Sequence, residues 1–280
     1  MVINMSILYA LLWFAGISLL LGVMLAVASI IFAVKVDPRI PEVQECLPGA
    51  NCGGCGFAGC SACAEAIVKG EAKVSACPVG GQPVADKIAK IMGTEAGTVT
   101  RMRAQVMCSG TMDNAKKKYI YEGAQDCNAA MRLGGGPKLC PNGCIGLGSC
   151  TVVCTHEAIS VVNGVAVVDY TKCVGCGLCT ETCPKHIIKL VPFDSKVWVG
   201  CSSLDKGPQV RTYCEVGCIG CHLCEKTCES GAIKVNGFVA AIDYDKCTGC
   251  GKCASKCPRH IIMHADDHYV IDDSALGKNA

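Results

Sequence analysis

The sequence predicts an α+β protein: one N-terminal transmembrane helix, a small cysteine-rich domain, and a duplicated cysteine-rich unit. Three observations predict it. Residues 7–34 form one apolar run; 26 of 280 residues are cysteine, mostly in Cys-x2-Cys runs; and eight of those cysteines recur at an offset of 74 residues.

The apolar run comes first. No charged side chain precedes Lys35, and only small residues such as Ser18 and Ser29 interrupt the apolar stretch. A spanning helix needs roughly 20 residues, so the run crosses a bilayer with tilt to spare. Tyr9 and Trp13 stand where an interfacial anchor is expected. A signal peptide fits poorly, because the run is too long and has no basic n-region. Lys35 and Arg39 follow the helix, so the positive-inside rule places the C-terminal bulk in the cytoplasm, on a single-pass inner (plasma) membrane protein.

The cysteines come next. Three thiols spaced by two residues cannot readily pair among themselves, but they can converge on one metal centre. Metal centres of this kind need reduced thiolates, which agrees with a reducing compartment. Aromatics make up only 5 % of the chain, too few for an ordinary core across the cysteine-rich part; the net charge of +2 gives no sign of a nucleic-acid partner, and none is expected.

Boundaries follow from these features. Residues 1–36 read as the anchor, 37–82 as the first cysteine domain and 83–135 as a connecting region. Residues 136–192 and 214–270 read as the duplicated units, 193–213 as the loop between them and 271–280 as a tail. Val84, Ile88, Ile91 and Met92 have helical spacing within 83–98. In each unit β-forming residues flank an Asn-Gly pair, Asn163-Gly164 and Asn236-Gly237, which predicts two hairpins. The second pair comes one residue early against the 74-residue offset.

The clearest motif is Cys173-x2-Cys176-x2-Cys179-x3-Cys183-Pro184, repeated as Cys247-x2-Cys250-x2-Cys253-x3-Cys257-Pro258. This is the bacterial ferredoxin spacing, in which the fourth cysteine reaches the other of two [4Fe–4S] clusters. Zinc ribbons use two Cys-x2-Cys pairs, not three evenly spaced cysteines and a Cys-Pro. The units are therefore expected to be ferredoxin-like, of βαβ type. Gly175, Gly177, Gly249 and Gly251 let backbone amides approach sulfur.

Cross-ligation then assigns the sites of both units. Cys218, Cys221, Cys224 and Cys257 form one set; Cys247, Cys250, Cys253 and Cys228 form another. Cys173, Cys176 and Cys179 take Cys154. In the first unit Leu147 stands where the second has Cys221, so Cys140 is expected to join Cys144, Cys150 and Cys183. A three-iron cluster or an unfilled site is the alternative there. Cys108, Cys127, Cys201 and Cys214 remain as a sixth set, while Cys46 and Cys63 read as plain buried thiols. His186 and His260 read as helix-end residues, and Lys116-Lys117-Lys118 as a solvated face.

The N-terminal group has the spacing Cys52-x2-Cys55-x4-Cys60-x16-Cys77, which by itself leaves zinc open. Its context is specific. The single helix, the segment Leu47-Pro48-Gly49-Ala50-Asn51-Cys52-Gly53-Gly54-Cys55 and the ferredoxin-type repeats follow in the order found in the B-type iron–sulfur subunit of the Rnf complex, and the whole chain resembles that family. The resemblance implies a four-iron domain ligated by Cys52, Cys55, Cys60 and Cys77. It implies a translocase subunit of a membrane-bound ferredoxin:NAD oxidoreductase moving Na+ or H+. Soluble ferredoxin would be the donor, integral membrane Rnf subunits the acceptors, and no complete active site would lie on this chain. A polyferredoxin serving another enzyme, and a structural zinc scaffold, are the competing readings. Gly54-x-Gly56-x-x-Gly59 follows no strand pattern and is not read as a dinucleotide site.

Overall fold

The computed structural model describes residues 5–31 and 37–264. Lys35, on which the orientation rests in part, and the 271–280 tail lie outside the described residues.

Helix α1 (Met5–Ile31) carries the 19-residue stretch Leu11–Ser29, none of it buried and of mean hydropathy 2.4. Large apolar side chains exposed all round a helix suit lipid rather than water. Helices α2 (Arg39–Cys46), α3 (Cys60–Val68) and α4 (Gly81–Met92) form an N-terminal module around Val43, Ile67, Ile88 and the Cys63 thiol. Helix α4 ends at Gly93, whose left-handed φ of 66° closes it with a bond to Ala89. The helix expected within 83–98 is therefore present, and Gly93 stops it before the end of that stretch.

Strand β1 (Met102–Val106) and helix α5 (Cys127–Arg132) lie in the connecting region, then helix α6 (Ser149–Val152) opens the first unit. Strands β2 (Ile159–Val162) and β3 (Val165–Val168) form the expected hairpin, with Asn163 and Gly164 both at positive φ, as a type I′ turn requires. Helix α7 (Leu178–Thr182) and strand β4 (Ile188–Pro192) complete the unit. Strand β5 (Val197–Val199) and helix α8 (Gly207–Tyr213) follow, then helix α9 (Leu223–Thr227), strands β6 (Ile233–Asn236) and β7 (Val239–Ile242), helix α10 (Lys252–Ser255) and strand β8 (Ile262–His264).

The second hairpin differs from expectation. Asn236 pairs with Val239 inside the ladder, and the turn is Gly237-Phe238. Only Gly237 has positive φ there, the pattern of a II′ turn. The 74-residue offset thus holds through the backbone; only the turn chemistry changed.

The expected βαβ character is corrected. Every strand pair among the described residues is antiparallel: β1 with β4, β2 with β3, β5 with β8, β6 with β7. A parallel crossover needs a dozen or more residues, usually a full helix. Here the segment after each hairpin is spent on a cysteine motif, and its helix has only four or five residues. The connecting region and the inter-repeat loop each donate one strand, β1 and β5, to the unit that follows in the chain.

Two cores result, one per unit, and thiols are part of each. Cys144, Cys150, Cys173 and Cys179 pack with Ile159, Val168 and Ile187; Cys218, Cys224 and Cys257 pack with Val197, Ile233 and Ile261. Between the units sits Arg103, 2 % exposed. Its guanidinium lies 3.7 Å from the Tyr170 ring centroid and donates to Gln105 Oε1 at 2.8 Å, Phe193 O at 3.1 Å and Ser195 O at 2.7 Å. Trp198 of β5 meets Tyr170 edge-on.

Candidate iron–sulfur sites

Each unit builds its thiol sites twice with the same local geometry. Gly148, Gly177, His222 and Gly251, each two residues before a motif cysteine, take left-handed φ and start helices α6, α7, α9 and α10. Such a residue turns the chain abruptly, so the cysteines on either side face one point. Three residues after each closing cysteine the chain turns again. Glu157, His186, Gly231 and His260 have positive φ, and their amides donate to the carbonyls of Cys154, Cys183, Cys228 and Cys257. His186 and His260 are thus turn residues.

In the first unit, Cys173, Cys176, Cys179 and Cys154 come together. Burial pushes the Cys179 thiol up to about 12, reinforced by Cys173, Cys176 and Cys154. Backbone amides of Ala104 and Ala158 donate to Cys173 Sγ and Cys154 Sγ, each at 3.3 Å. In the second unit, burial pushes Cys224 to about 11, with Cys218, Cys221 and Cys257 adding to it. Cys253 is raised by burial, with Cys247 and Cys228 adding to it.

The structure places Cys127 and Cys140 in different cavities from those the expected sets imply. Cys127, Cys144, Cys150 and Cys183 line one cavity, with about 390 Å³ of empty space including its mouth. Cys140 is not part of it. Cys127 reaches this place because α5 is anchored against the unit. Asp126 caps α5 by accepting from Ala129 N at 2.6 Å. The Ser149 hydroxyl donates to Asp126 at 3.1 Å and accepts from Cys127 N at 2.6 Å. Burial pushes Cys150 up to about 12, helped by Cys144, Cys127 and Cys183. Cys140 instead lines a separate cavity with Cys108, Cys201 and Cys214. The repeat held the signal: Cys140 is the counterpart of Cys214, which no motif uses, whereas Cys127 fills the place that Leu147 leaves empty.

In the N-terminal module Cys55, Cys60 and Cys77 surround Cys63. Burial pushes Cys63 up to about 12, then its neighbours Cys55, Cys77 and Cys60 add to it, with a thiol hydrogen bond to Cys55. Cys63 therefore borders the site as well as the core. Asn51, at φ 46°, accepts from Cys60 N at 2.8 Å. Cys52 lies at the edge of this module, near enough to Cys176 for the two thiols to repel as anions. At Gly54 a Cβ would overlap the Cys176 carbonyl oxygen, so only glycine permits this approach.

The Cys127 and Cys140 thiol sets ring cavities, an arrangement that suits clusters. Zinc draws its sulfurs to about 2.3 Å from one point. Four thiols ringing a cavity match a multi-atom iron–sulfur core.

Comparison with known proteins agrees. Residues 47–79 match the family described as "Putative Fe-S cluster", 166–189 the 4Fe-4S binding domain and 217–261 the 4Fe-4S dicluster domain. The chain is 45% identical, over 87% of its length and 74% of the relative's, to the B component of the Na(+)-translocating ferredoxin:NAD(+) oxidoreductase complex of Acetobacterium woodii. It is 44% identical to the B component of the ion-translocating oxidoreductase complex of Methanosarcina acetivorans, covering 89% of this chain and 94% of that one. It is 45% identical to the B component of the proton-translocating ferredoxin:NAD(+) oxidoreductase complex of Clostridium ljungdahlii, covering 86% and 87%. On these matches and this thiol geometry, the chain belongs to the family of B-type iron–sulfur, electron-transfer subunits of the ion-translocating (Rnf) oxidoreductase complexes.

Proposed function

We propose that this chain takes electrons from reduced ferredoxin and relays them to integral membrane subunits of a ferredoxin:NAD oxidoreductase. Helix α1 anchors it in the inner membrane by a single pass, with the thiol-bearing bulk in the cytoplasm. Each bound [4Fe–4S] cluster supplies a one-electron carrier. Five ligand sets are assigned: Cys52, Cys55, Cys60 and Cys77; Cys127, Cys144, Cys150 and Cys183; Cys154, Cys173, Cys176 and Cys179; Cys218, Cys221, Cys224 and Cys257; Cys228, Cys247, Cys250 and Cys253. The backbone amides at Cys173 and Cys154 stabilise thiolate charge, and the buried aliphatic residues of each unit keep water from the sulfurs.

The observation that carries the relay is the seating of the Cys52–Gly54 loop on Cys176. It joins the module nearest the anchor to a ferredoxin-type site with no solvent layer between. The second unit faces outward: Cys221 and Cys250 are exposed, which suits entry from a soluble donor.

The test is made in membranes. Deleting this chain should abolish ferredoxin-dependent NAD reduction, and the tagged chain should co-purify with integral membrane subunits. Purification with a hydrogenase or another soluble reductase instead, with NAD reduction intact, would overturn the reading in favour of a polyferredoxin.

A further inference from the structure

We propose that Cys108, Cys140, Cys201 and Cys214 hold a sixth [4Fe–4S] cluster at the junction of the two units, with the buried Lys138 ammonium as its counter-cation. The inference rests on the cluster reading of the five sites above but on different residues.

The four thiols line one cavity, and no other cysteine does. They come as two equivalent pairs. Cys108 follows the end of β1 by two residues, and Cys201 follows the end of β5 by two. Cys140 and Cys214 each precede the first motif cysteine, Cys144 or Cys218, by four. The hydrogen bonds repeat the same way. Cys144 N donates to Cys108 Sγ at 3.4 Å, and Cys218 N donates to Cys201 Sγ at 3.4 Å. The strand ends are held alike, by Met107 N to Ile187 O and Gly200 N to Ile261 O, each 2.7 Å. A two-fold pairing of thiols around one cavity is what two copies of a unit produce when they share a ligand set. It also explains the extra length between Cys108 and Cys140: that segment carries α5 and Cys127 away to the first unit's own site.

Amides aimed at sulfur suit a site that carries negative charge. So does the second observation. Lys138 is 5 % exposed, and its ammonium donates to Gly110 O at 2.5 Å and Gly164 O at 2.8 Å. No carboxylate stands within ion-pair distance of it among the described residues. A buried cation held only by carbonyls is costly unless an anion lies beside it. Lys138 lines this cavity alongside Cys214. A tetrathiolate cluster is net negative and supplies the missing charge. The site thereby touches a ligand residue of the neighbouring set on each side, Cys144 and Cys218, and joins the two units into one line of sites.

The test is the iron and sulfide content of the full-length, anaerobically purified protein. About 24 irons per chain are expected, against about 20 for five clusters. Cys108→Ala with Cys140→Ala should lose about four irons together, no more than either alone, because both serve one cluster. Cys108→Ala with Cys127→Ala should lose about eight. Additive loss in the first pair, or a wild-type count of about 20, overturns the sixth site and leaves the other five standing; zinc in place of iron would instead overturn the five-site reading. A second readout avoids ligand loss altogether. Lys138→Met should keep the iron count and shift one cluster's midpoint to lower potential in an EPR-monitored redox titration, and Lys138→Arg should restore it. Unchanged midpoints in Lys138→Met would remove Lys138 from the assignment.

Discussion

The two ferredoxin-type units share a backbone plan, yet they are covered differently. In the first, Cys176 is half-buried beneath the Cys52–Gly54 loop. In the second, the equivalent Cys250 is exposed, as is Cys221. The first unit also has Leu147 in place of one motif cysteine and has Cys127, from a separate helix, lining the same cavity as Cys144, Cys150 and Cys183, whereas the second keeps its motif whole. Duplication supplied two equal frames; what each frame touches gave them different places, one facing the anchor-side module and one facing solvent.

Iron removal should have the largest effect and should separate the units. Thiols form part of both cores, and the second core holds fewer fully buried aliphatic residues than the first. Chelation under reducing conditions is therefore expected to unfold both, the second unit first, because metal-binding energy here is folding energy. Hydrogen exchange followed along the chain reads this directly; near-native far-UV circular dichroism without iron would contradict it. Reloading should slow as pH falls. Each ligand thiol must lose its proton to bind, and fewer are ionised at lower pH.

Next comes the seam between the units. Arg103→Met strips the Phe193 and Ser195 carbonyls of the Arg103 donor and leaves Gln105 Oε1 with the Tyr170 hydroxyl. Leaving part-buried acceptors unmet costs up to about 1–3 kcal/mol each, so urea unfolding should move to lower concentration, with the units unfolding separately. A smaller effect is expected at the N-terminal seat. Gly54→Ala forces a methyl into the Cys176 carbonyl, an overpacking cost of about 1–3 kcal/mol. It should lift the module off the first unit and speed proteolysis within residues 93–101, with the iron count unchanged. Smallest of all is His222→Gly. His222 takes a left-handed φ of 59° where the other three equivalent positions are glycine, and its ring meets Glu225 Oε2 at 2.8 Å. Strain relief should outweigh an exposed pair, for a gain of no more than about 1 kcal/mol in the second unit alone.

Much of this was legible in the sequence because it rests on local rules. The apolar run, the 74-residue offset, the first hairpin turn and the Cys-x2-Cys motifs all depend on residues near one another in the chain. What was not legible depends on long-range packing. The pairing of β1 with β4 and β5 with β8 draws on segments that carry no motif. The exchange of Cys127 for Cys140 follows from the Asp126–Ser149 hydrogen bond, which holds a distant helix against the first unit. Nearness in sequence favoured Cys140, only four residues from Cys144; the fold decided otherwise. In the second turn, Asn236-Gly237 looked like the first unit's Asn-Gly, but pairing with Val239 shifted the turn by one residue.

Both units are expected to carry a complete pair of clusters, the first by way of Cys127. An iron anomalous-scattering map of the full chain tests it most directly. A density peak is expected in the cavity of Cys127, Cys144, Cys150 and Cys183, matched in strength to that of Cys218, Cys221, Cys224 and Cys257. An empty first cavity, or a peak bonded to Cys140 in place of Cys127, would contradict it.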